Sequence, residues 1–95
     1  MSRPEAQIES RLRDAIRQRG GYALKFAPPG FRGWPDRIVI LPHGRIYFVE
    51  LKAPGKTPDA HQERRLGWLA AAGFNAVVLD SRSAVDAWVE QQIDC

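Results

Sequence analysis

The stretch from Gly33 to Lys52, which reads GWPDRIVILPHGRIYFVELK, constrains the fold more than any other part of the sequence. Its two apolar runs are rich in β-branched and aromatic residues and flank a Pro-His-Gly turn, so they predict a β-hairpin. If the turn is symmetric about His43, each residue before it faces the residue equally far after it, and Asp36 lies opposite Glu50. Because side chains alternate along a strand, Lys52 lies on the same face as Glu50.

The hairpin is apolar on both faces, which is typical of strands that are covered on both sides. Apolar residues at helical spacing predict a helix that ends at Gly20-Gly21, and two more helices after the hairpin. Two further apolar runs predict strands, and Ser2 and Thr57 are expected to cap the first two helices. We therefore expect one domain over residues 1–95, an α/β fold with a mixed β-sheet flanked by helices in the order α-β-β-β-α-β-α.

Two opposed carboxylates next to a lysine favour a metal site for phosphate chemistry. Directly opposed residues have Cβ atoms about 5 Å apart, so Asp36 and Glu50 repel each other unless a cation lies between them. Oxygen ligands at that spacing suit a hard divalent ion such as Mg²⁺, and Lys52 adds positive charge where a phosphate would bind. An ordinary hairpin end with a surface Glu50–Lys52 pair is the alternative, and a one-residue error in the turn would move Asp36 to the other face.

The distribution of charge favours a nucleic-acid partner. The net charge is +3, but residues 1–56 hold eleven Lys or Arg against five Asp or Glu, whereas residues 57–95 hold three against six. The basic half contains the proposed site, and phosphate backbones attract such a surface. Uneven solvated charge is the alternative interpretation.

The motifs GWPD at 33–36 and ELK at 50–52 resemble the signature of PD-(D/E)XK nucleases. With Glu9 on the first predicted helix, and GKTP at 55–58 leading into a helix that carries Gln62, the chain resembles the VRR-NUC family, the virus-type replication-repair nucleases. This resemblance implies a restriction-endonuclease-like core.

The resemblance extends from about Glu5 to Leu79 and implies a Mg²⁺- or Mn²⁺-dependent deoxyribonuclease. Such an enzyme would be a structure-specific endonuclease that hydrolyses phosphodiester bonds in branched DNA such as Holliday junctions. Asp36, Glu50 and the backbone carbonyl of Leu51 would hold the metal ion. The alternatives are a flap or nicking nuclease without junction resolution, a DNA-binding module that has lost catalysis, and a purely structural domain.

Three further side chains have roles that the resemblance implies. Lys52 would orient or activate the attacking water and stabilise the phosphate in the transition state. Glu9 would support the metal, as a direct ligand or from behind one, although a surface ion pair with Arg13 is the alternative. Gln62 would orient water or phosphate, or cap a buried polar group.

Basic and aromatic side chains near the motifs are candidates for contacts with DNA. Phe31 or Trp34, in the loop before Asp36, could stack on a base, but packing under the loop is the safer prediction. Four basic residues are expected to contact the DNA backbone: Lys25, Arg32, Arg37 and Lys56.

We also expect a homodimer, because resolving a junction requires two symmetric cuts and each centre makes one. The last helix with Trp88, and the outer side of Trp68, are the candidate contact surfaces. No apolar run approaches the roughly 20 residues of a membrane span, no signal-peptide core is apparent, and the one cysteine, Cys95, leaves no intrachain disulfide. We therefore expect no membrane contact and a location in the cytoplasm of a bacterium or a phage-infected host.

Overall fold

The predicted order of helices and strands is confirmed in the computed structural model, which describes residues 3–95. A π-helical turn at Val89–Ile93 extends the last helix, and no helix within 3–95 is long and apolar enough to cross a membrane. The other elements are α1 (Pro4–Arg17), β1 (Tyr22–Lys25), β2 (Arg37–Leu41), β3 (Arg45–Leu51), α2 (Ala60–Ala71), β4 (Asn75–Leu79) and α3 (Arg82–Trp88).

The four strands form one mixed sheet in the order β1-β2-β3-β4, in which only β3 and β4 run parallel. Ile38 pairs with Phe48, so the predicted hairpin register is confirmed. The turn closes in this register because His43 adopts a left-handed backbone conformation, with φ of 70°. Asp36, just outside the ladder, therefore lies beside Glu50 on the neighbouring strand.

The core lies on one face of the sheet, beneath α1, α3 and the π-helical turn. Each large apolar side chain buried there stabilises the fold by roughly 1.5–3 kcal/mol. Trp88 belongs to this core, is 8% exposed, and packs edge-to-face on Tyr47 with ring centroids 5.4 Å apart. The prediction that Trp88 contributes to a dimer surface is therefore wrong. The core side chains are Ile8, Leu12, Ile16, Val39, Leu41, Tyr47, Val49, Leu51, Leu79, Val85, Trp88, Val89 and Ile93.

The other face is covered only in part. Near the open end of the hairpin it carries α2 and a cluster of aromatic rings in edge-to-face contact: Phe26, Trp34, Phe48, Trp68 and Phe74. Near the turn, the side chains of Tyr22, Leu24, Ile40 and Ile46 are exposed. Covering helices on both faces are thus present, but the second face keeps an exposed apolar area.

Two helix caps differ from the prediction. The N-cap of α1 is Arg3, which makes no side-chain capping bond; Ser2 lies outside the described residues. The cap of α2 is Asp59, and not Thr57, because Asp59 and Gln62 form a reciprocal capping box. The Asp59 carboxylate accepts from the backbone N–H of Gln62 at 2.9 Å, and the Gln62 side-chain oxygen accepts from the Asp59 N–H at 3.0 Å.

Candidate active site

The open end of the hairpin brings Asp36, Glu50 and Lys52 together. The backbone N–H of Leu51 donates to Oδ1 of Asp36 at 3.1 Å and holds that carboxylate against β3. Glu50 is 3% exposed, and Nζ of Lys52 lies 3.3 Å from its Oε2. Two acidic groups and one cation therefore share a largely water-excluded corner of the sheet.

Gln62 joins this group from α2. Its side-chain oxygen is occupied by the capping box, so its Nε2 points away from the helix and donates to Oε2 of Glu50 at 3.1 Å. The predicted alternative in which Gln62 caps a buried polar group is confirmed, because its amide binds the buried carboxylate of Glu50 and also closes the first turn of α2. The start of α2 is thus fixed directly to the site.

Both carboxylates are destabilised in their charged forms. Burial raises the pKa of Asp36, and the N–H of Leu51 and the charge of Arg37 oppose that shift. Burial also raises the pKa of Glu50, the charge of Asp36 raises it further, and Lys52 opposes both effects. The single lysine therefore does not fully compensate the pair.

The donor set at this corner fits a divalent cation. Oε1 of Glu50 is buried and has no hydrogen-bond partner among residues 3–95, and such an oxygen is unusual unless an ion or water occupies its free side. Within the same residues, no third Asp, Glu, His or Cys completes a cluster of the kind that holds a metal without water or substrate. Mg²⁺ suits this arrangement, because it binds through one or two carboxylates and completes its shell with waters and substrate phosphates.

Comparisons with known proteins agree with this chemistry. Over 78 residues the chain is 50% identical to "Putative nuclease p44" of Acyrthosiphon pisum secondary endosymbiont phage 1, and the match spans 82% of this chain and 84% of that protein. A solved structure described as "VRR_NUC domain" superposes with a TM-score of 0.91 at 33% identity, over 96% of this chain and 99% of the other. The chain belongs to the VRR-NUC family.

This membership confirms both the resemblance and the restriction-endonuclease-like core predicted from the sequence, and makes the chain a nuclease domain. A second VRR-NUC structure, described as "VRR_NUC domain protein", has a TM-score of 0.72 at 20% identity, over 99% of this chain and 91% of the other, and shares the fold. No family model matches the chain.

Glu9 does not join the carboxylate pair of this VRR-NUC domain. Its Oε2 lies 2.7 Å from Nη2 of Arg37, and its Oε1 lies 3.7 Å from Nη1 of Arg13. Nη1 of Arg37 in turn donates to the backbone carbonyl of Asp36 at 2.8 Å. Glu9 therefore reaches Asp36 through an arginine, which is the geometry of a positioning residue, and it also forms the predicted surface pair with Arg13.

The acidic residue of α1 whose charge acts on Asp36 is Glu5, which raises the pKa of Asp36. Glu5 is not among the site residues predicted from the sequence. The signal was available, because Glu5 and Glu9 are four residues apart and so share one face of α1. Which of the two approaches the site depends on how α1 crosses the sheet, and the sequence does not give that angle.

We expect Glu9→Gln and Glu5→Gln to have different effects. Glu9→Gln leaves the buried Arg37 without its charged partner, so the free energy of unfolding should fall by about 1–3 kcal/mol. Glu5→Gln should lower the pKa of Asp36 and so maintain or slightly raise the free energy of unfolding at neutral pH. Urea unfolding and an NMR titration of the Asp36 carboxyl measure the two quantities. Loss of Mg²⁺ binding in Glu9→Gln at unchanged stability would restore Glu9 as a direct ligand.

The basic residues predicted to contact DNA fall into two groups. Lys25, Arg32 and Lys56 are exposed. Arg37 is 9% exposed and is committed to Glu9 and to the backbone of Asp36. The prediction that Arg37 contacts a DNA backbone is therefore corrected, because it lies on the sheet face that α1 covers.

Proposed function

We propose that this chain hydrolyses phosphodiester bonds in DNA with Mg²⁺ or Mn²⁺ held between Asp36 and Glu50. The observation that carries the proposal is the buried Oε1 of Glu50, which has no hydrogen-bond partner within residues 3–95 and lies beside a second carboxylate whose pKa is also raised. Without a cation, the repulsion between the two buried carboxylates lowers the free energy of unfolding, and a bound divalent ion would offset that repulsion. A purely structural ion pair at this position would need neither a second carboxylate nor a buried carboxylate oxygen left without a hydrogen bond.

In this proposal a bound divalent ion lowers the pKa of an attacking water and offsets charge that develops on the phosphate. The residues of the chain bind and orient. The Leu51 N–H fixes one oxygen of Asp36, and Nε2 of Gln62 fixes Glu50. The backbone carbonyl of Leu51 would be a further ligand to the ion. The ammonium group of Lys52, next to Glu50, orients the water and stabilises the phosphate oxygens in the transition state.

We propose branched DNA, such as a Holliday junction, as the substrate. The exposed Lys25, Arg32 and Lys56 and the excess positive charge of residues 1–56 support binding to more than one phosphate backbone. The expected result is metal-dependent cleavage of a labelled four-way junction at a higher rate than of flap, linear duplex or single-stranded DNA of the same sequence. Faster flap cleavage would favour the nicking nuclease, and binding without cleavage in Mg²⁺ and in Mn²⁺ would favour the non-catalytic module.

We further propose that the chain acts as a homodimer in the cytoplasm. Two equivalent centres related by a two-fold axis would supply the paired cuts that junction resolution needs. Trp68, 55% exposed, and the exposed face formed by Tyr22, Ile40 and Ile46 are apolar surfaces that a second copy would cover.

Sedimentation equilibrium tests the homodimer directly. We expect a mass twice the 10.7 kDa of the chain at micromolar concentration, and a shift toward monomer when Ile46→Glu places charge on the exposed face. A mass that stays at the monomer value when junction DNA is added would contradict the dimer and favour a monomeric nicking enzyme.

A further inference from the structure

The loop at residues 28–33 carries one aromatic side chain that the fold does not use. Phe31 is 62% exposed, more than any other large apolar side chain of residues 3–95. Its neighbours along the chain behave differently, because Phe26 and Trp34 pack edge-to-face with ring centroids 6.1 Å apart and each also contacts another ring. Of the two candidates Phe31 and Trp34, the predicted packing therefore applies to Trp34, and the Phe31 ring contacts no other ring in the described part of the chain.

The base of this loop is fixed to α2. Gly33 adopts φ of +82°, and a Cβ atom there would lie 2.6 Å from the backbone oxygen of His61, so only glycine allows this approach. Arg65, one turn further along α2, donates to the carbonyl of Arg32 at 3.3 Å and lies over the ring of Trp34 at 5.2 Å. An aromatic ring on an anchored loop loses less conformational entropy on binding than one on a free loop.

The anchor also places the base of the loop that carries Phe31 near the carboxylate pair. Gly33 contacts His61, and the following residue of α2, Gln62, donates directly to Glu50. On its other side the loop continues after Gly33 through only two residues to Asp36. The loop that carries the exposed ring therefore approaches the carboxylate pair from the side of α2.

The surroundings of this ring match a surface that binds unpaired nucleotides. Arg32 is its neighbour in the loop and is exposed, and Arg65 of α2 contacts the loop at the carbonyl of Arg32. Single-stranded nucleic acid is bound by cations that hold the backbone and by aromatic rings on which bases stack. A single ring beside cations is too small for a stable protein interface, which needs about 800 Å² per partner.

We propose that Phe31 stacks on an unpaired base beside the scissile phosphate, and that this contact makes the enzyme prefer DNA with an unpaired or splayed base over continuous duplex. The inference rests on the proposed hydrolysis of DNA. It identifies an unpaired base as the feature of the substrate that the enzyme recognises. In continuous duplex every base face is already stacked, so Phe31 gains no contact there.

The test compares wild type with Phe31→Ala, Phe31→Leu and Phe31→Trp. On a duplex with one unpaired base next to the cut, we expect Phe31→Ala and Phe31→Leu to lower kcat/KM by about 10-fold or more, mainly through KM, and Phe31→Trp to retain it. On continuous duplex of the same sequence all four proteins should cleave alike. Leucine is the matched control, because it keeps an apolar side chain and removes only the ring.

The proposal would be overturned if the ratio of kcat/KM on the two substrates were the same in wild type and in Phe31→Ala. A loss of kcat/KM by the same factor on both substrates would give that result. A second measurement separates this result from a failure of the proposed function. With 2-aminopurine at the unpaired position and metal removed by EDTA, wild type should quench the fluorescence and Phe31→Ala should not. If wild type cleaves no DNA, this quenching still decides whether Phe31 stacks, and equal quenching by both proteins would overturn the contact.

Discussion

Asp36→Asn and Glu50→Gln are each expected to abolish cleavage and to leave the fold intact. Each substitution removes one of the two charges that would hold the metal ion, while the Leu51 N–H can still donate to the side-chain oxygen at 36. Single-turnover cleavage at saturating Mg²⁺ measures the loss, and circular dichroism checks the fold. Cleavage near the wild-type rate by both variants would contradict the site.

The same substitutions should maintain or raise the stability of the metal-free protein. Burial raises the pKa values of Asp36 and Glu50 above their ordinary values of 3.8 and 4.5, so the folded state takes up protons at a higher pH than the unfolded state. The destabilisation is fully present above the raised pKa values and is lost as the pH falls through them toward the ordinary ones. Metal-free wild type should therefore gain stability over that window, and each variant should gain less.

Lys52→Ala is expected to lower turnover by about 10²- to 10⁴-fold and to change metal affinity far less. A protonated lysine has no lone pair to offer a metal, and the ammonium group here lies 3.3 Å from Oε2 of Glu50, whereas Oε1 is the oxygen that would bind the ion. We therefore expect Lys52 to act on the attacking water and on the phosphate. Single-turnover rates and calorimetric titration with Mn²⁺ measure the two effects separately.

Lys52→Arg is the matched control for this prediction. It keeps the positive charge but replaces a compact ammonium with a planar guanidinium, so we expect it to retain metal binding and to recover only part of the rate. Metal binding that disappears in Lys52→Ala while the fold is retained would contradict the assignment and would make the lysine part of the ion's binding site.

The sequence predicted the hairpin site well because its geometry is local. A short turn and the alternation of side chains are enough to place Asp36 beside Glu50, and the register agrees pair by pair. The capping box of α2 was also within reach, because an Asp at 59 followed three residues later by Gln62 is a recognisable helix start. Thr57 is a competing cap in the sequence, because the proline that follows it is typical of a first helical position.

The parts that the sequence did not predict depend on contacts between distant elements. Alternation puts Arg37 on one face of the hairpin, but both faces are apolar, so the sequence does not tell which face α1 covers. The sequence likewise does not tell whether Trp88 faces the core or the solvent, and in the structure it points inward from α3 onto Tyr47. The pairing of Glu9 with Arg37 also depends on how α1 crosses the sheet.

The most direct test of the account is the initial rate of DNA cleavage during a Mg²⁺ titration of wild type and Glu50→Gln, both first stripped of metal with EDTA. The account predicts no cleavage by either protein before Mg²⁺ is added, a saturable rise for wild type, and no rise for Glu50→Gln. Cleavage by wild type in EDTA, or a Glu50→Gln rate that rises with Mg²⁺ as the wild-type rate does, would contradict it.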